Sequence, residues 1–204
     1  MFKPSPILFP LLLSAIVSLA SSCAPPPPPT DTEGGSDPHP PQPSATEDVR
    51  TRGSLDQAKA CLSSGNYTKA LEIYNAAVDR HPANEDLLDA YTEALESIKE
   101  KADKEYEARD YAEAGELYHT LSKSGFGKRR LPRALSFDAD YLATRIGACS
   151  KMLMELGIMK YRAGDLEQAI AIWKKILVFN PSDREAKTAV DRATAQLQNL
   201  KQMD

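Results

Sequence analysis

From residue 54 onward, apolar side chains recur at every third or fourth position, with polar side chains between them. That spacing places the apolar positions on one face of an α-helix. Two stretches, 84–109 and 138–163, keep the pattern for about seven turns. Each opens on a residue that commonly caps a helix N-terminus, Asn84 or Asp138. The pattern predicts an all-α fold of about seven helices, two of them long.

Three segments of this helical part align with one another, which indicates an internal repeat. Residues 60–82, 104–125 and 159–181 each carry a tight turn, then an alanine, then an aromatic residue. The turns are Gly65-Asn66-Tyr67, Arg109-Asp110-Tyr111 and Gly164-Asp165-Leu166, the alanines are Ala70, Ala114 and Ala169, and the aromatic residues are Tyr74, Tyr118 and Trp173. Because a small side chain lets two helices approach closely, we expect the alanines between paired helices and the aromatic rings between hairpins.

These shared positions resemble the tetratricopeptide repeat, a helix–turn–helix unit of 34 residues. The resemblance implies a solenoid of stacked helical hairpins with a concave groove. Successive turns lie further apart in this chain than in that family, and the two long helices account for the excess. Residues 182–203 predict a polar-faced helix that caps the array, with Ser182 at its N-cap and Glu185 completing a capping box.

The same resemblance implies a binding groove, because tetratricopeptide arrays hold peptides on the face made by the first helix of each hairpin. In this chain that face would carry Lys59, Lys99, Asp103, Tyr106, Lys151, Ile158, Tyr161 and Arg162. Tyr106 and Tyr161 are the best candidate anchors, being aromatic and repeated. Packing against neighbouring helices is the alternative role for these positions.

The first 53 residues have a different character, since most of the 15 prolines lie there. Residues 1–22 combine an early lysine, a short apolar run and small residues, which is the layout of a secretory signal. Their ending at Cys23 resembles a bacterial lipobox, and the resemblance implies that Cys23 becomes an acylated N-terminus. Ala20 stands where that family prefers leucine, so ordinary signal-peptidase cleavage and an uncleaved membrane segment stay open as alternatives.

Residues 23–53 are rich in proline, serine, threonine, glycine and acidic residues, which predicts a disordered linker ahead of a helical repeat domain at 54–204. A Pro-rich ligand for a partner module is the alternative. The lipobox resemblance implies a cell-envelope protein anchored in a membrane through Cys23. In enterobacterial lipoproteins an aspartate directly after the acylated cysteine signals retention in the inner membrane. This chain has Ala24 at that position, which favours the outer membrane, with the protein facing the periplasm.

The net charge of −4 argues against a nucleic-acid-binding protein. One stretch departs from this balance, the basic loop, which we define as Lys128, Arg129, Arg130 and Arg133. A solvated connection between helices is one interpretation of it. The other is contact with anionic headgroups or an acidic partner surface.

The chain contains no phosphate-binding, nucleophile-elbow or zinc-protease motif, and its three histidines are widely spaced. We therefore expect no catalytic residue, no metal, no cofactor and no small-molecule substrate. The resulting hypothesis is a non-catalytic adaptor or scaffold that binds another envelope protein, in the manner of lipoproteins that serve assembly or secretion machines. The alternative is a structural spacer or homo-oligomer without a peptide ligand.

Overall fold

The computed structural model describes residues 45–203, with side chains from 49 to 202. These residues form seven α-helices and one short 3₁₀ turn, and no strand occurs among them, which confirms the all-α prediction. The helices are α1 Ala45–Ser63, α2 Tyr67–Arg80, α3 Glu85–Glu107, α4 Tyr111–Lys123, α5 Ala139–Arg162, α6 Leu166–Phe179 and α7 Arg184–Met203; the 3₁₀ turn is Phe126–Lys128. The predicted signal segment, the acylated Cys23 and the linker up to residue 44 lie outside the described residues.

The helices form a solenoid of hairpins, as the sequence predicts. Short turns join α1 to α2, α3 to α4 and α5 to α6, and the helices of each pair pack together extensively. Helix α4 packs on α5, and α7 covers α6 at the C-terminal end, as expected for a capping helix. Helices α3 and α5 are the two long ones, and Asn84 and Asp138 cap them, as predicted.

Helix α1 begins before residue 54, so residues 45–53 are helical although their composition favours a linker. No proline interrupts the chain there, and helix-forming Ala, Glu and Arg residues are frequent. The Thr51 side chain is buried together with Ala58 further along the same helix. Packing against α2 therefore extends the helix beyond the boundary that composition suggests.

The three hairpin turns share one backbone structure. Gly65, Arg109 and Gly164 all have positive φ, at 77°, 65° and 83°. In each turn the next residue's N–H reaches the carbonyl five residues back, for example Asp110 N to Glu105 O at 2.9 Å. That next residue then caps the following helix, because its side chain accepts a hydrogen bond from the backbone N–H three residues further on.

The repeated alanines and aromatic residues form the core, as predicted. Ala70, Ala114 and Ala169 are all 0% exposed. The rings of Tyr74 and Tyr118 contact the next hairpin, through Tyr91 and Tyr141 respectively.

Trp173 packs differently, against Tyr161 of its own hairpin, and donates a hydrogen bond to the Met154 carbonyl at 3.3 Å. Gly157 leaves the space for this indole, since a Cβ there would lie 2.1 Å from the Trp173 Nε1 atom. Helix α5 continues through this glycine as one helix from Ala139 to Arg162.

The prediction that Ser182 caps the last helix is wrong. Helix α7 begins at Arg184, and the Asp183 carboxylate accepts the hydrogen bond from the Ala186 N–H at 2.9 Å. The Ser182 hydroxyl instead donates to Asn180 Oδ1. Within residues 45–203, no helix combines the length and the apolar character needed to cross a membrane.

Candidate functional site

Five of the eight predicted groove residues lie in two places in the solenoid. Lys99, Asp103 and Tyr106 belong to a polar and aromatic cluster on α3, α4 and α5. Ile158 and Tyr161 line a pocket at the C-terminal end of the array. The remaining three, Lys59, Lys151 and Arg162, have exposed side chains outside both places.

The first place is the Asp103 cluster, which we define as Lys99, Asp103, Tyr106, Tyr118, Tyr141 and Arg145. The hydroxyls of Tyr118 and Tyr141 each donate to Asp103 Oδ1 at 2.6 Å. The Lys99 ammonium lies 2.8 Å from Asp103 Oδ2. The Asp103 side chain is only 21% exposed, so these donors replace most of its water.

The electrostatics of the cluster keep Asp103 ionised. Burial alone would raise the pKa of Asp103, but hydrogen bonds from Lys99, Tyr118 and Tyr141 outweigh it and hold that pKa below its ordinary value. Burial and the adjacent carboxylate raise the pKa of Tyr118. The cluster is therefore a partly buried carboxylate that accepts hydrogen bonds from the hydroxyls of Tyr118 and Tyr141.

Arg145 covers the aromatic side of this cluster. Its guanidinium lies 4.9 Å from the ring centroid of Tyr106 and 5.3 Å from that of Tyr141. Tyr106 also meets Tyr111 edge-on, with centroids 5.4 Å apart. These contacts use Tyr106 for packing between helices, which is the alternative role that the sequence leaves open for it.

Sequence reasoning missed Tyr141 and Arg145 as members of the cluster. A signal was present, because Lys99 and Asp103 on α3, and Tyr141 and Arg145 on α5, are both pairs spaced by four residues. Such pairs lie on one helix face. Nothing in the sequence pattern, however, brings those two faces together.

The second place is the C-terminal pocket, a concavity of about 580 Å³ between α5 and α7. Its lining residues are Met154, Ile158, Tyr161, Trp173, Arg184, Glu185, Thr188, Ala189 and Arg192. Met154, Ile158 and Tyr161 follow one another on a single face of α5. The Tyr161 hydroxyl donates to Gln196 Oε1 on α7, which joins the two walls.

The pocket has an apolar interior and a charged rim. Met154 and Trp173 are nearly buried, whereas Ile158 is 36% exposed, an unusual exposure for an isoleucine. Arg184, Glu185 and Arg192 supply the rim charge from α7. Among the residues that the structure describes, none forms an ion pair with either rim arginine.

Two of the four residues of the basic loop form ion pairs within the protein. Arg129 Nη1 lies 2.7 Å from Asp79 Oδ1 on α2, and its hydrogen bond lowers the pKa of Asp79. Arg133 reaches Asp89 and Glu93 on α3 at 3.5 and 3.6 Å.

A serine on the same connection strengthens its attachment to α3. The backbone N–H and hydroxyl of Ser136 both donate to Glu96, each at 2.6 Å. These contacts hold the connection against α2 and α3. Lys128 and Arg130, the other two residues of the basic loop, are exposed.

The remaining candidate chemistry is sparse over residues 45–203. No group of three His, Cys, Asp or Glu side chains there is placed to hold a metal ion. Cys61 and Cys149 are free thiols, and burial raises the pKa of Cys149 to about 12. His119 is half-buried, and burial lowers its pKa.

Comparison with known proteins does not assign this chain to a family. No protein-family model matches the chain, and no curated protein matches it significantly.

Proposed function

We propose that this protein is a non-catalytic adaptor that binds another protein of the cell envelope through its C-terminal pocket. The pocket carries the proposal: it is an apolar concavity of about 580 Å³ edged by charges, and pockets with an apolar centre and a polar rim hold the anchoring side chains of partner proteins. It also contains Ile158 and Tyr161, two of the positions at which resemblance to tetratricopeptide repeats implies peptide binding.

The proposal includes the attachment of the adaptor. In it, Cys23 carries the acyl chains, the linker spans the distance to the helical array, and the array faces the periplasm from the outer membrane. More than one acyl chain at Cys23 would provide durable attachment. Replacing Cys23 with alanine is then expected to move the protein from the membrane fraction to the soluble fraction. Continued sedimentation with membranes would contradict lipid anchoring.

Site-specific photo-crosslinking in living cells tests the adaptor itself. A photoreactive residue replaces Ile158 inside the pocket, and the matched control replaces Lys175, which is exposed on α6 outside the pocket. We expect one dominant envelope protein to be captured from position 158 and not from position 175. Equal capture at both positions, or none at either, would contradict an adaptor that works through this pocket.

One observation favours the second candidate, a spacer or homo-oligomer. The Asp103 cluster uses predicted groove residues for packing between helices, as a purely structural array would. On that alternative, the crosslinker at Ile158 yields either adducts between copies of this chain or no adduct.

A further inference from the structure

The rim of the C-terminal pocket carries more positive than negative charge, and its interior is apolar. Arg184 and Arg192 lie on the same face of α7, eight residues apart, which is about 12 Å along a helix that rises 1.5 Å per residue. Glu185 is the only acidic residue among those that line the pocket. Two guanidinium groups without a carboxylate partner among the described residues therefore flank the apolar surface of Ile158, Met154 and Trp173.

The pocket and its two arginines suit an extended occupant. An extended segment that runs along α7 can place one or two side chains inside this concavity of about 580 Å³, because alternate residues of a strand project to the same side. At about 3.3 Å per residue, roughly four residues of such a segment span the distance between the two arginines.

Resting on the adaptor function proposed above, we infer that the occupant is a short extended segment with a large apolar side chain between two carboxylates about four residues apart. The apolar side chain enters the pocket over Ile158 and Trp173. The carboxylates pair with Arg184 and Arg192, and a guanidinium favours this because it binds a carboxylate with two parallel hydrogen bonds.

Trp173 supplies a direct measurement, because it is the only tryptophan in the chain and it lines the pocket. The probe is a synthetic peptide without tryptophan, with a central Phe, Glu two residues to each side, and Gly and Ser elsewhere. Titration into the full-length protein is followed by tryptophan fluorescence. We expect a saturable change for this peptide. Peptides with Lys in place of both Glu, or with Ser in place of Phe, should bind at least about tenfold more weakly.

Charge reversal tests the roles of the two arginines. The double variant Arg184→Glu and Arg192→Glu should weaken binding of the Glu-containing peptide about tenfold and reverse the preference toward the Lys-containing one. The matched control, Lys175→Glu with Lys187→Glu, makes the same change in net charge on exposed residues of α6 and α7 outside the pocket. It should bind as the unaltered protein does. Circular dichroism of both double variants establishes that they are folded.

The results separate the partner chemistry from the adaptor function. If the fluorescence does not respond, or responds equally to the Glu-containing and Lys-containing peptides, the inference on partner chemistry is overturned. The adaptor proposal fails separately, if crosslinking from Ile158 captures no partner. If the crosslinked adduct at position 158 still forms in the Arg184→Glu and Arg192→Glu variant, the adaptor proposal stands and the inference of an acidic partner is overturned.

Discussion

The turn at Arg109 allows a sharp test of the repeat architecture, because three equivalent positions adopt one backbone conformation with different residues. Gly65, Arg109 and Gly164 all have positive φ, between 65° and 83°. The left-handed conformation costs an L-residue roughly 1–2 kcal/mol, while glycine adopts it freely. Arg109 therefore carries strain that its two counterparts avoid.

The relevant comparison is alanine with glycine at each of the three positions. A Cβ added at Gly65 or Gly164 would meet no atom within 4 Å, so the effect of alanine there comes from the backbone alone. Glycine is more flexible than alanine in the unfolded chain, which offsets part of the strain. At each of the three sites the protein with glycine should therefore unfold with a free energy about 1 kcal/mol higher than the protein with alanine. Arg109→Gly should also be more stable than the unaltered protein, by about 0.5–1 kcal/mol, because the side chain is exposed.

Urea denaturation followed by circular dichroism at 222 nm measures these differences, and an Arg109→Ala variant separates the loss of the Arg109 charge from the relief of strain. For a chain of this length, 1 kcal/mol corresponds to a shift of about 2–4 °C in Tm. If Arg109→Ala proves as stable as Arg109→Gly, the equivalence of the three turns is refuted. The same conclusion follows if alanine at 65 or 164 has no effect.

Three further predictions concern the core. Asp103→Asn should destabilise the protein by about 1–2 kcal/mol at pH 7, because the ion pair with Lys99 is lost. The pKa of Asp103 is lowered in the folded state. Its stabilisation is therefore present above the unfolded pKa, near 3.9, and disappears as the pH falls through the lower folded value. The urea midpoints of the unaltered protein and of Asp103→Asn should accordingly converge as the pH falls toward about 2. A difference between the two midpoints that stays constant with pH would refute the role of the charge. Gly157→Ala should destabilise by about 1–3 kcal/mol and shift tryptophan emission, since the new Cβ collides with Trp173. The matched control Gly147→Ala, where a Cβ meets no atom within 4 Å, should be neutral or stabilising when both variants are compared by urea denaturation. Cys149 should resist iodoacetamide at pH 8 in the folded protein and react once urea unfolds it, because burial raises its pKa to about 12. Mass spectrometry of the labelled peptides checks this, and rapid labelling of the folded protein would show that the thiol is accessible.

Local patterns predict the repeated unit itself. The turn, the alanine and the aromatic residue lie within ten residues of one another, and short-range sterics and capping act over that distance. The helix ends at Asn84 and Asp138 are predicted for the same reason. The exception at Ser182 is also local, because Asp183 lies next to it and is an equally good cap.

Contacts between helices are not predicted in this way. The Asp103 cluster brings together residues of α3, α4 and α5, and Asp103 and Arg145 alone lie 42 positions apart in sequence. Their meeting depends on how the hairpins rotate as they stack. Similarly, composition alone does not show that Arg129 and Arg133 pair with carboxylates of α2 and α3. The C-terminal pocket exists only because α7 folds back beside α5.

The sequence by itself determined the all-α class, the three hairpin turns, the two long helices and the buried alanine and aromatic positions. These features follow from backbone preferences and the helical period, which are properties of short segments. Only the tertiary structure decided that Tyr106 packs under Arg145, that Gly157 makes room for an indole, and that Ile158 stays exposed in a pocket beside two arginines. Each of these depends on the relative placement of whole helices, which is set by the close packing of many side chains at once.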